Sequence, residues 1–136
     1  MKIVNLHEPV FKTRLLLLIG GTWKEAERYF ADKDMAVKLR GCSGQMGSYQ
    51  VRDKDGSEQT RYYIFAEKEK DIVKKLRTLC HEISHLVFAA LYDCHIEINR
   101  NNDETFAYYF DWWLGSILGA SGEKLGKAGV SKLNKK

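Results

Sequence analysis

The chain has 136 residues, 44% hydrophobic and 29% charged, with a net charge of +4. That length accommodates one domain with one core and excludes two, and the composition is that of an ordinary globular protein. Residues 122–136 carry Lys124, Lys127, Lys132, Lys135 and Lys136 against Glu123, so the positive excess belongs to the C-terminal end. The rest is close to neutral, which argues against nucleic-acid binding by the folded body.

Cys42, Cys80 and Cys94 make an odd number and form no C-x-x-C pair. That pattern fits a reducing compartment better than a disulfide framework and disfavours a zinc–cysteine knuckle. No signal peptide is evident, and the apolar run at residues 15–19 is far too short to span a bilayer. The expected setting is cytoplasmic, without membrane association.

Residues 11–19 are apolar and end at Gly20-Gly21, as a buried strand would. Thr22 and Glu25 form a T-x-x-E capping box, so a short helix is expected over residues 23–31, burying Trp23, Ala26 and Phe30. The glycine-rich stretch 41–47 reads as a loop. Residues 49–52 and 60–66 flank Asp53-Lys54-Asp55-Gly56 and read as a hairpin with a longer loop.

A long helix is expected over residues 68–91. At about 100° per residue, Ile72, Leu76, Leu79, Ile83, Leu86 and Ala90 share one stripe, widened by Val73, Cys80, Val87 and Leu91. His81 and His85 point away from that stripe, together with Thr78 and Tyr92. Phe88 lies near this second face, a hint that another element covers part of it. Residues 93–102 are polar and read as a loop with a short extended piece at 96–98. Asn102 or Asp103 can cap a third helix over residues 104–118, whose apolar stripe is Phe106, Phe110, Trp113 and Ile117. Glu104, Tyr108, Asp111 and Gly115 fall on its opposite side. Residues 122–136 have little to bury and read as a flexible basic tail.

The chemistry-bearing feature is His81-Glu82-Ile83-Ser84-His85, an H-E-x-x-H pentapeptide within the long helix. Positions i and i+4 project from one helical face one turn apart, so the two imidazoles can share one zinc ion. The glutamate between them can take a proton from the attacking water. Two histidines alone hold zinc weakly, and a third protein ligand is needed. A histidine six residues past the motif would give the metzincin pattern, but Phe88 and Leu91 stand where its glycine and histidine belong. His95 has no recognised spacing. Glu104 is the better choice: it opens the next helix, eighteen residues beyond His85, on the face opposite that helix's apolar stripe.

With its pentapeptide, spacing and Asp103-Glu104-Thr105-Phe106-Ala107-Tyr108 helix, the chain resembles minimal gluzincin metallopeptidases. The glutamate helix is similar to that of ImmA/IrrE-type peptidases and of small phage- or prophage-encoded zincin-like proteins. The resemblance covers about residues 64–118. It implies His81, His85 and Glu104 as ligands of Zn2+, Glu82 as general base, and a protein or peptide substrate. It supplies no oxyanion donor; Tyr108, Tyr92 and His95 are candidates, and Asp111 could orient a ligand histidine. Tyr108, Tyr109, Trp112 and Trp113 also suit packing, and Cys80 and Cys94 suit small core sites.

The expected architecture is α+β. A small, mostly antiparallel sheet of three or four strands packs on the motif helix, the first helix lies beside that helix, and the Glu104 helix closes the site. Residues 1–121 would form a single zincin-like domain. Three functions compete: a zinc peptidase of gluzincin type, a catalytically weak or inactive binding or regulatory protein on the same scaffold, and a nucleic-acid accessory protein acting through the tail.

Overall fold

A computed structural model describes residues 1–39 and 41–122; the basic tail expected at 122–136 lies outside the described residues from 123 onward. The elements in order are β1 (Lys2–Glu8), β2 (Thr13–Gly21), α1 (Trp23–Asp32), β3 (Gly44–Arg52), β4 (Glu58–Glu67), α2 (Ile72–Asp93) and α3 (Asp103–Ser121). The fold is α+β, with a four-stranded sheet in the order β1-β2-β4-β3. Both outer pairs are antiparallel and the central β2–β4 pair is parallel, so the sheet is mixed. A parallel pair needs a long crossover, and the segment carrying α1 and β3 supplies it.

The unbroken run Leu15-Leu16-Leu17-Leu18-Ile19 is buried throughout, because both faces of β2 are covered. Leu15, Leu17 and Ile19 join Tyr62, Ile64 and Ala66 of β4 in a core with Leu79, Ile83, Leu86 and Leu91 of α2 and Tyr109, Trp113 and Ile117 of α3. Leu16, Leu18, Tyr63 and Phe65 face the other way and pack on Ala26 and Phe30 of α1. The first helix therefore lies across the sheet from α2, not beside it. Strand alternation makes this necessary: four consecutive leucines cannot all face one helix layer.

Local chemistry explains the helix ends. The Thr22 hydroxyl accepts from the Glu25 backbone N–H at 3.2 Å, half of the capping box. The long helix starts later than its periodicity predicts because the Asp71 carboxylate accepts from the N–H groups of Val73 and Lys74 at 3.0 and 3.3 Å. Asn102 occupies the position before α3 without capping it. Its amide is turned back into the preceding loop, where Oδ1 accepts from Asn99 N–H at 2.7 Å and Nδ2 donates to the Glu97 carbonyl. The stripe of α3 is centred on Tyr109, Trp113 and Ile117, with Phe106 and Phe110 on its half-buried flank. None of the described helices is long and apolar enough to cross a membrane.

Two differences bear on the site. Residues 2–8 form an edge strand that the reading of the sequence omits. Residues 44–48 are strand, where a glycine-rich loop is expected. Those glycines serve close approach. A Cβ on Gly44 would lie 2.4 Å from Thr78 Cγ2 on α2, and one on Gly47 would lie 2.4 Å from the Tyr63 hydroxyl. β3 is thus pressed against the motif helix at the outer edge of the sheet.

Candidate active site

The pentapeptide sits mid-helix on α2, with Ile83 in the core and His81 and His85 exposed on the opposite face. The two Nε2 atoms are 3.1 Å apart, and the rings meet edge to face with centroids 4.7 Å apart. Two nitrogens bound to a tetrahedral zinc at about 2.0–2.1 Å lie about 3.3 Å from each other. The imidazole pair therefore fits two corners of such a site; the same spacing also suits one proton shared between the rings.

Glu82 is the one acidic side chain on α2 that is buried, at 7% exposed. What covers it is β3. A Cβ on Gly44 would stand 3.3 Å from Glu82 Cγ and 3.4 Å from Oε1, and the Met46 backbone lies beside the carboxylate and lowers its pKa slightly. Burial raises the Glu82 pKa above the ordinary carboxylate range, while His81 and His85 pull it back in part. A carboxylate kept from water and only sparsely hydrogen-bonded is a stronger base than one at the surface.

Glu104 is exposed in the first turn of α3, as placed by its spacing. The start of α3 reaches α2 one turn past the motif, where the Phe88 and Phe106 rings are 4.8 Å apart. The carboxylate of Glu104 is not, however, gathered with the histidines: no group of three His, Cys, Asp or Glu among the described residues is arranged to hold a metal ion.

The oxyanion candidates lie elsewhere. Tyr108 lines a cavity of about 360 Å³ with Glu8, Pro9, Val10, Phe11 and Trp112, and that cavity includes neither histidine. Tyr92 and His95 line another, with Asp93, Ile96 and Glu97. Asp111 is exposed. Tyr109 and Trp113 are core residues as expected, whereas Tyr108 is 72% exposed. Cys80 is half-buried, but Cys94 is exposed and fills no core site.

The cover that Gly44 and Met46 give Glu82 was not anticipated from the sequence. A signal for it was present: two glycines three residues apart leading into the alternating stretch Tyr49-Gln50-Val51-Arg52 suit a strand held close to its neighbours as well as they suit a loop. No family model, curated protein or solved structure matches this chain.

Proposed function

We propose that this protein is a zinc-dependent metallopeptidase of gluzincin type that cleaves a peptide bond in a protein substrate. The observation that carries the reading is the combination on one turn of α2. Two imidazole nitrogens stand 3.1 Å apart on the exposed face, and between them in sequence is a carboxylate tucked under an edge strand.

In this reading His81 and His85 hold the metal from α2, and Glu104 supplies the third ligand. An exposed glutamate in a first helical turn has the rotamer freedom to swing toward the pair once a cation draws it. Bound zinc supplies Lewis acidity, making water nucleophilic near neutral pH and polarising a carbonyl. Glu82 accepts the proton of the attacking water and passes it to the leaving amine. Among the described residues β3 pairs only with β4, so its outer edge offers backbone donors and acceptors to an extended peptide beside Glu82. Tyr108 is given no catalytic role, since its cavity holds neither the base nor the histidines.

The experiment is metal analysis of the purified chain, alongside His85→Ala, Glu104→Ala and Glu82→Gln. Stoichiometric zinc that is lost in the first two variants and kept in the third supports the reading, provided hydrolysis disappears in all three. Hydrolysis surviving Glu82→Gln removes Glu82 as the base.

A second reading has its own observation. The lack of a three-ligand group among the described residues favours a zincin-like binding or regulatory protein without turnover. It predicts partner binding that is indifferent to Glu82→Gln.

A further inference from the structure

The face of the sheet that carries α1 is not fully covered. Beyond the end of that helix layer it opens into a cavity of about 430 Å³ lined by Asn5 and His7 of β1, Arg14 and Leu15 of β2, Tyr49 of β3 and Arg61 of β4. The polar residues form a row across all four strands. His7 pairs with Arg14, and Tyr49 pairs with Arg61. Arg14 and Arg61 immediately precede Leu15 and Tyr62, which pair across the parallel ladder. Both arginines stand two residues before Leu16 and Tyr63, members of the α1-side core, so they share that face.

This row is unbalanced in charge. Like charges on neighbouring strands repel, yet among the described residues no acidic side chain lines the cavity. The ion pairs among the described residues join Met1 to Glu25 and Arg52 to Glu58, and neither involves Arg14 or Arg61. The Arg61 Nε is buried and without an acceptor. A buried N–H left unpaired is costly, and native proteins seldom tolerate one without a purpose. Every polar side chain in the row can donate a hydrogen bond, and the cavity is of small-ligand size.

We propose that this row is an anion site for the phosphoryl group of a small phosphate monoester. Two guanidinium forks match the near-dianionic charge and three terminal oxygens of such a group, where a carboxylate would satisfy one fork. Tyr49, half-buried at the end of the row with its hydroxyl beside the Arg61 side chain, offers its ring to whatever the phosphate bears. The site is on the opposite face of the sheet from the His81–His85 pair and stands whether or not that pair binds metal.

The test is NMR of the arginine Nε–H resonances of the full chain, titrated with inorganic phosphate, ribose 5-phosphate and a nucleoside monophosphate, with sodium chloride at matched ionic strength. Arg61→Lys assigns the Arg61 signal. The Arg61 and Arg14 signals should move saturably with phosphate and not with chloride, while Arg52, engaged with Glu58, stays still. Arg14→Ala, at an exposed position, should weaken binding about tenfold or more, and Arg61→Lys should do so too, because the ammonium lacks the fork. Tighter binding of the nucleotide than of ribose phosphate would place the base on Tyr49; equal binding would confine recognition to the phosphoryl group. An absent or non-saturable shift, an equal response to chloride, or unchanged affinity in Arg14→Ala overturns the proposal. If Arg61→Lys does not fold, Arg14→Ala decides it.

Discussion

Two glutamates are buried near opposite edges of the sheet, and the protein treats them differently. Glu8, at the end of β1, is 2% exposed and has all its demands met. Its carboxylate accepts from the backbone N–H groups of Val10 and Phe11 in the β1–β2 turn and from the Tyr109 hydroxyl at 2.9 Å. Glu82 is nearly as buried, yet among the described residues its surroundings are the Met46 backbone and the His81 and His85 imidazoles, without a set of donors like that at Glu8. The first arrangement ties a turn to a helix. The second keeps a carboxylate dry and available. A group satisfied from every side contributes to stability, and one held under-satisfied where water is excluded is the kind of group that chemistry uses.

That contrast is testable through stability, with no knowledge of a substrate. The largest effect should come from Glu8→Ala. It leaves two turn amides and the Tyr109 hydroxyl without their acceptor in a buried site, and should cost about 3 kcal/mol. Guanidinium unfolding followed by tryptophan fluorescence measures it; a loss below about 1 kcal/mol would mean that the Glu8 cluster is not structural. Gly44→Ala should come next. The new methyl would meet Thr78 Cγ2 at 2.4 Å, so β3 must lift from α2, at about 2 kcal/mol. The same change uncovers Glu82, so if Glu82 is the base of a hydrolase, as proposed, the loss of activity should exceed what the stability loss explains. Activity equal to that of the parent would separate the edge strand from the catalytic reading.

Tyr109→Phe is a finer probe of the Glu8 side. It keeps the ring, its edge-to-face contact with Phe11 at 5.1 Å and its place in the core. It removes only the hydroxyl that bridges Glu8 and Thr13. The expected cost is about 1.5 kcal/mol, the low end for one hydrogen bond to a charged acceptor. If Tyr109→Phe is neutral, water takes over the bridge and the cluster is less closed than its burial implies.

How much of this could be read from the residues depended on the length of the signal. The two faces of α2 were legible because six apolar positions repeat over five turns, and the exposed histidine pair follows from the same geometry. The burial of Glu82 was not, because a helical wheel places it beside His81 on a flank, and only the strand that covers it decides its environment. That strand was hidden by its glycines, which signal a turn or a close contact equally well. β1 was missed because Lys2-Ile3-Val4-Asn5-Leu6-His7-Glu8 is short and its apolar positions 3, 4 and 6 break the alternation that marks a strand. The site of α1 required knowing that β2 is central, and the leucine run carried that information without the direction. The Arg14–Arg61 row depends on a parallel register between two segments separated by more than forty residues. Local periodicity does not encode such a register, although each arginine opens a similar apolar run, Arg14-Leu15-Leu16-Leu17-Leu18 and Arg61-Tyr62-Tyr63-Ile64-Phe65.

The smallest expected change in stability is the most informative about function. Glu82→Gln keeps the shape of the side chain and removes its charge. If Glu82 were a second structural carboxylate, the substitution would cost stability as changes at Glu8 do. In the arrangement seen here the charged form is disfavoured by burial under β3, which His81, His85 and the Met46 backbone offset only in part. A neutral amide of the same shape removes the burial penalty of a charge. Glu82→Gln measured without metal should therefore be within about 1 kcal/mol of the parent, and on the stabilised side. Stabilisation coupled to loss of hydrolysis is the signature of a residue kept for chemistry at the expense of the fold. Destabilisation by about 2 kcal/mol or more would move Glu82 into the same class as Glu8, and the proposed base would have to be sought elsewhere.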